Sequence, residues 1–331
     1  MINQSNHKFR DFMLFDEAVS AVDEILATAL NSASLGILNI TNHLAATKGN
    51  GIRTDVLLAT SLDTRGLVPK DACFAAASIE ILHLATLIHD DIIDDAPIRR
   101  GAESIQSKFG KHQAVIAGDY LFCMAFATIS EIYKPYQSHA DLISNFTQAV
   151  SKICLGELLQ YKNNWNIHMT AFDYLRIISG KTATLFYIAS YGGSIISGCS
   201  DRESSQIAKF GKYLGMIFQI VDDCKDYKLT EQAAKKPVKS DLASGVITLP
   251  LIITFAKNPH LRDIAKDAIF TDAGRGLLFE NVYKCDAISD SLDLAKKYAN
   301  KSEKILERIN NQHKKQELYR ILAHSFELAM K

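Results

Sequence analysis

Apolar residues recur along this chain at three- and four-residue spacing, in stretches of helical length, almost from end to end. Residues 16–46 read as one or two amphipathic helices, closed by Lys48-Gly49-Asn50-Gly51, a stop-and-turn signal. A short helix is expected over 54–62 and a long apolar one over 70–95. Pro97 stops the latter, because the residue before a proline is pushed out of helical geometry. Arg99-Arg100-Gly101 then reads as a loop. Further helices are expected over 111–133, 138–162, 171–191 and 203–227. A basic segment from Ala233 to Ser240 leads to Asp241 and Thr248-Leu249-Pro250, and the rest, to Lys331, is helical and more charged. The apolar runs are rich in Ala, Leu and Ile and too long for strands, so strand signals are weak. With no short repeat and no linker, the expectation is one all-α domain over 1–331, with residues 1–15 as a flexible N-terminal extension.

Two of the apolar helices end in aspartate-rich runs: Asp90-Asp91-Ile92-Ile93-Asp94-Asp95 and Asp222-Asp223-Cys224-Lys225-Asp226. Each contains Asp-Asp-x-x-Asp. On a helix, positions i and i+4 share a face and i+1 lies beside it, so each run gathers carboxylates at a helix end. Crowded like charge is costly unless a cation neutralises it. Hard oxygen donors suit Mg²⁺, which commonly bridges a few carboxylates to substrate phosphates. One such run alone is equally consistent with a solvated helix face. Two copies, separated by Lys181-Thr182, favour a pair of metal-diphosphate clamps in a pseudo-symmetric bundle.

Lys+Arg and Asp+Glu both number 37, and that balance argues against nucleic acid as a partner. Hydrophobic residues make up 47% and charged residues 22%, as in a soluble globular protein. The six cysteines show no C-x-x-C spacing, which favours a reducing, cytoplasmic setting and argues against zinc. The polar start, MINQSNHKFRDF, lacks a signal-peptide core, and no window holds eighteen uninterrupted apolar residues.

The motifs together resemble the trans-isoprenyl diphosphate synthases, or polyprenyl synthetases. The resemblance is carried by His89 through Asp95, Arg99-Arg100-Gly101, Gly118-Asp119-Tyr120, Lys181-Thr182, Phe218 through Asp223, Lys236-Pro237, Asp241-Leu242 and Thr248-Leu249-Pro250. It covers roughly residues 20–300. It implies a helical bundle around a deep central cavity. It also implies head-to-tail condensation of isopentenyl diphosphate with an allylic diphosphate, giving an all-trans product. By the same resemblance Asp90, Asp91, Asp94, Asp222, Asp223 and Asp226 hold Mg²⁺, three ions per site with substrate bound. Arg99, Lys181 and Lys236 bind the allylic diphosphate, and Arg100 and Arg53 bind isopentenyl diphosphate. Thr182 and Gln219 lie beside the developing carbocation. His83 matches an isopentenyl-diphosphate ligand, but on an apolar helix it reads equally as a core histidine. Asp241 either orients Lys236 or serves the outer metal shell. Ala85 and Thr86, small side chains five and four residues before Asp90, leave the chain-length pocket open beyond a farnesyl product. Ile81, Leu82, Phe126 and Phe146 are candidates for its floor. A homodimer is implied, a heterodimer is a known variant, and membrane contact is at most peripheral, through the lipid product.

One departure stands out. The family carries a Gly-Gly-Lys-Arg-x-Arg-Pro stretch, where this chain has Gly49-Asn50-Gly51-Ile52-Arg53-Thr54. Only Arg53 is kept, so either Lys48 reaches in, or affinity for isopentenyl diphosphate is lowered, or a partner chain contributes. Three rival readings stand beside this one. A terpene cyclase is disfavoured by the second Asp run. A His-Asp phosphohydrolase explains neither that run nor Lys181-Thr182. A non-catalytic subunit is supported only by the altered basic stretch.

Overall fold

The computed structural model describes residues 11–31, 37–45, 51–99, 101–132, 139–232 and 241–330. The described chain is nearly all helix, as expected. Its elements are β1 (Phe12–Met13), α1 (Phe15–Asn31), α2 (Leu38–Ala45), α3 (Ile52–Ser61), β2 (Val68–Pro69), α4 (Lys70–Ile93), β3 (Ile98–Arg99), β4 (Ala102–Glu103), α5 (Ile105–Phe109) and α6 (Lys111–Ser130). Then follow α7 (His139–Asn163), α8 (Ala171–Lys181), α9 (Ala183–Ile196), α10 (Asp201–Gln232), α11 (Leu249–Lys257), α12 (Leu261–Ala268), α13 (Asp272–Lys284), α14 (Ala287–Leu306) and α15 (Gln312–Met330).

Contacts divide the chain into two compact units. The first comprises Met1–Phe146, Ile188–Ala208 and Ile309–Leu318; the second comprises Thr147–Tyr187, Lys209–Arg308 and Tyr319–Lys331. In the first, α4 packs against α1, α3 and above all α6. Ala72, Ala75, Ala76 and Ala77 on α4 are buried, so small side chains let the neighbouring helices approach closely. Gly118 on α6 sits where any Cβ would collide with the His89 ring. By length and composition α4 and α6 could each cross a membrane, yet they pack on one another inside this unit. In the second unit α11 packs against α8, α13 and α14, and α12 lies on α13.

Several boundaries differ from expectation for local reasons. The 171–191 helix is two helices, α8 and α9, broken at Thr182, where the Thr184 hydroxyl donates back to the Ser179 carbonyl. The expected Arg99 loop is a short hairpin, β3 paired with β4 around Gly101 at φ 80°. Phe12↔Pro69 and Met13↔Val68 pair in a second two-residue ladder, tying the described end of the expected N-terminal extension to the fold.

Candidate active site

Helix α4 ends inside the first Asp run. Asp94 caps it, Asp95 turns left-handed at φ 48°, and the Ala96 amide donates to the Asp91 carbonyl. The run divides by face. Asp94 is exposed and Asp90 half-buried, and both lie on the side of α4 shared with Thr86 and His83. Asp91 lies beside that face and is only 3% exposed. There Arg99, from β3, donates to its Oδ1 through Nε at 2.7 Å and also through a terminal nitrogen. A small pocket beside this ion pair is lined by His43, Leu84, Leu87, Ile88, Asp91 and Arg99, among others. Burial raises the Asp91 carboxyl above its usual range, and Arg99 partly offsets that.

The second Asp run repeats this division in the other unit. Asp222 is exposed and Asp226 half-buried, one helical turn apart on α10. Lys225 lies 3.6 Å from Asp222. Asp223 is 4% exposed, and both of its oxygens are engaged. Tyr174 of α8 donates its hydroxyl to Oδ2 at 2.6 Å, and Gln219 donates Nε2 to Oδ1 at 2.6 Å. Thr182 donates to Gln219 Oε1 at 2.7 Å, which fixes the amide with its nitrogen towards Asp223. Burial, and then the charge of Asp241, hold the Asp223 carboxyl well above the ordinary range. Asp226 is raised by burial and by Asp222, and the Asp241 amide donating at 3.3 Å opposes the shift.

Lys181 ends α8, and its ammonium lies 2.7 Å from Glu157 of α7. A glycine pair makes this approach possible: a Cβ on Gly156 would collide with the Lys181 backbone nitrogen, and one on Gly180 would stand 3.0 Å from Gly156 Cα. Sequence reasoning found Lys181, Thr182 and Gln219 but missed Tyr174 and Glu157. Their only signal was a lone polar group at helical spacing on an otherwise apolar face.

Of the remaining candidates, Arg53 lies half-buried on α3, where the adjacent Thr54 hydroxyl donates to Glu80 at 2.9 Å. His83 and Thr86 are half-buried, whereas Ala85 is fully buried within the helix packing. Phe126 and Phe146 meet edge-on at 5.2 Å between ring centroids. Arg100, Lys236, Lys48 and Asn50 lie outside the described residues. Among the described residues no three His, Cys, Asp or Glu side chains form an all-protein metal cage. The donors at both runs are all carboxylate oxygens, a set that fits Mg²⁺ completed by phosphate oxygens and water.

A sequence profile of the polyprenyl synthetase family matches residues 36–284. The chain belongs to that family. Heptaprenyl diphosphate synthase component 2 of Bacillus subtilis is 35% identical over 231 residues, spanning 69% of this chain and 65% of that relative. Geranylgeranyl diphosphate synthase of Sulfolobus acidocaldarius is 33% identical over 242 residues, 72% of this chain and 73% of its own. The crystal structure of heptaprenyl diphosphate synthase from Staphylococcus aureus superposes with a TM-score of 0.86 at 26% identity, covering 96% of this chain and 99% of that one. The polyprenyl synthetase family is one of prenyltransferases, generally Mg²⁺-dependent, so the expected fold and reaction class both stand.

Proposed function

We propose that this polyprenyl synthetase condenses isopentenyl diphosphate head-to-tail with an allylic diphosphate, releasing diphosphate and an all-trans product longer than farnesyl diphosphate. The observation that carries the reading is the common construction of the two Asp runs. In each, the middle aspartate is buried and held by a hydrogen-bond partner while the outer pair, Asp90 and Asp94 or Asp222 and Asp226, shares a more exposed, adjoining face.

On this reading the four outer carboxylates bind Mg²⁺, three ions per site when substrate is present. Bound Mg²⁺ supplies positive charge to a diphosphate leaving group. Asp91 and Asp223 act from behind, since Asp223 has both oxygens committed and Asp91 is held by Arg99. The allylic diphosphate meets Arg99, Lys181 and Lys236, whose charges stabilise the departing oxygen as the C–O bond breaks. Thr182 and Gln219 present oxygen dipoles, oriented by their mutual hydrogen bond, to the allylic cation. The apolar walls exclude water from that cation. Arg53, Arg100 and His83 receive isopentenyl diphosphate, and the released diphosphate takes the last proton.

The working assembly is a homodimer in the cytoplasm, touching membrane only through its lipid product. A two-component assembly is the second reading, favoured by the name of the Bacillus subtilis relative. One experiment tests the function: incubate the purified chain with Mg²⁺, labelled isopentenyl diphosphate and farnesyl diphosphate, then extract and size the products. Label appearing in extractable prenyl chains supports the reading. No incorporation by the chain alone refutes the homodimer, and none after adding a candidate second component refutes the synthase itself.

A further inference from the structure

Lys314, near the start of α15, is 2% exposed, an uncommon place for an ammonium group. Among the described residues it has no carboxylate partner. Its Nζ donates to the Ser197 hydroxyl at 2.9 Å and to Cys199 Sγ at 3.2 Å. Ser197 and Cys199 are themselves 3.4 Å apart in the turn between α9 and α10. Ser197 keeps its oxygen towards Lys314 by donating its own proton to the Ser194 carbonyl at 2.9 Å. All of these residues belong to the first unit. A buried cation is expensive unless polar groups meet it, and among the described residues the side chains hydrogen-bonded to Nζ are those of Ser197 and Cys199. The same hydrogen bond holds the Lys314 nitrogen and the Cys199 sulfur within reach of one another.

The other cysteines are built differently. Cys73 is buried and its thiol is pushed up to about 12 by burial. Cys224 is buried, and Cys154 is exposed, its thiol raised by the partial desolvation of its surroundings. Cys123 is exposed, and Cys285 accepts from the Asn258 amide at 2.8 Å. Cys199 is half-buried, which admits a small oxidant more readily than a bulky alkylating reagent.

We propose that Cys199 and Lys314 form a peroxide-sensitive modification site that closes into a sulfur–nitrogen cross-link. In the first step the thiol sulfur attacks hydrogen peroxide: an S–O bond forms, the O–O bond breaks, and the distal hydroxyl leaves as water with the thiol proton. Sulfur is oxidised to the sulfenic acid and peroxide is reduced. The Lys314 nitrogen reacts as the free amine, its extra proton passing to solvent water. Its lone pair then attacks sulfur from 3.2 Å; the S–N bond forms, the S–O bond breaks, and hydroxide leaves with a proton as a second water. One peroxide is consumed, and the product ties the α9–α10 turn to α15.

The test treats the intact protein with a small excess of hydrogen peroxide and maps its peptides by mass spectrometry. The expected product is a peptide pair joining Cys199 to Lys314, lighter by two hydrogens than the sum of its parts and reversed by dithiothreitol. It should be absent from Cys199→Ala and from Lys314→Met. Should Lys314→Met fail to fold, the cross-link in the wild type and its loss in Cys199→Ala decide alone. Oxidation of Cys123 ahead of Cys199, or Cys199 passing to sulfinic acid with no joined peptide, would overturn the proposal.

Discussion

The phenolic oxygen of Tyr174 donates to Asp223 Oδ2 at 2.6 Å, joining residues 49 apart in sequence and completing a relay that starts at half-buried Thr182 and Gln219. Tyr174 is buried, and it fixes the carboxylate that lies between Asp222 and Asp226 in sequence. A hydrogen bond to a charged group is worth about 1.5–3 kcal/mol. Tyr174→Phe should therefore raise the Mg²⁺ concentration needed for half-maximal activity by about tenfold, one decade per ~1.4 kcal/mol. The KM for isopentenyl diphosphate should stay near that of the wild type. Steady-state rates over a Mg²⁺ titration check this; a lowered melting temperature with unchanged Mg²⁺ dependence would assign Tyr174 to stability alone.

The outer carboxylates face a sharper test. Asp90→Ala and Asp222→Ala should each lower kcat by at least ~10²-fold, the scale of losing one preorganised electrostatic group. Both should keep the wild-type circular dichroism, because Asp222 is exposed, Asp90 is only half-buried, and neither side chain fills the core. Near-normal turnover in either variant would contradict a two-run clamp.

Burial and like charge give the second run a pH signature. The folded values of Asp223 and Asp226 lie above their unfolded ones, so the fold favours their protonated forms. Without metal, stability from these groups is greatest at low pH. It is lost as pH rises from about 4, the ordinary carboxylate value, through the raised range. A bound cation reverses this preference by pairing with the ionised forms. Thermal midpoints should therefore rise more on adding Mg²⁺ and diphosphate at about pH 8 than at about pH 5.5. An equal shift at both pH values would place metal binding elsewhere.

The helices were legible because their apolar periodicity is strong, and the Asp runs because two copies of a dense acidic pattern are hard to explain as surface. The partition within each run was not legible. Sequence spacing groups Asp90 with Asp94, but only tertiary structure shows Arg99 turning back through a hairpin to take Asp91. Tyr174 and Glu157 were invisible for the same reason: their partners are brought near by helix crossings, the latter at the Gly156–Gly180 contact. The break at Thr182 was not legible because apolar spacing runs on through it, while the Thr184 hydroxyl donating to the Ser179 carbonyl there is a tertiary-structure fact.

The departure at residues 49–53 predicts a specific kinetic defect. Arg53 stands on α3 without the Lys and Arg that the family places at Asn50 and Gly51. Asn50→Lys should lower the KM for isopentenyl diphosphate by about tenfold, in line with one charge-assisted contact. The KM for the allylic substrate should hardly change. Parallel Michaelis curves for the two substrates decide it, and an unchanged isopentenyl KM would mean that another cation already serves there.

Product length should be set by the half-exposed face of α4 rather than by its packed interior. Thr86 stands four residues before Asp90, about 6 Å along the axis at ~1.5 Å per residue, and on the same face. Its side chain is small and half-buried, so a growing prenyl chain anchored at Asp90 can run past it. Ala85 is equally small but fully buried, and a bulky residue there would overpack the helix interface at a cost of about 1–3 kcal/mol. Thr86→Phe is therefore the cleaner probe. It places an aromatic ring one turn below the carboxylates without disturbing the core and should cut the product to farnesyl or geranylgeranyl size while the wild type makes longer chains. Mass analysis of extracted products from both proteins reads this directly. A wild-type product no longer than farnesyl diphosphate, or a Thr86→Phe product of wild-type length, would show that the chain leaves Asp90 along a different wall.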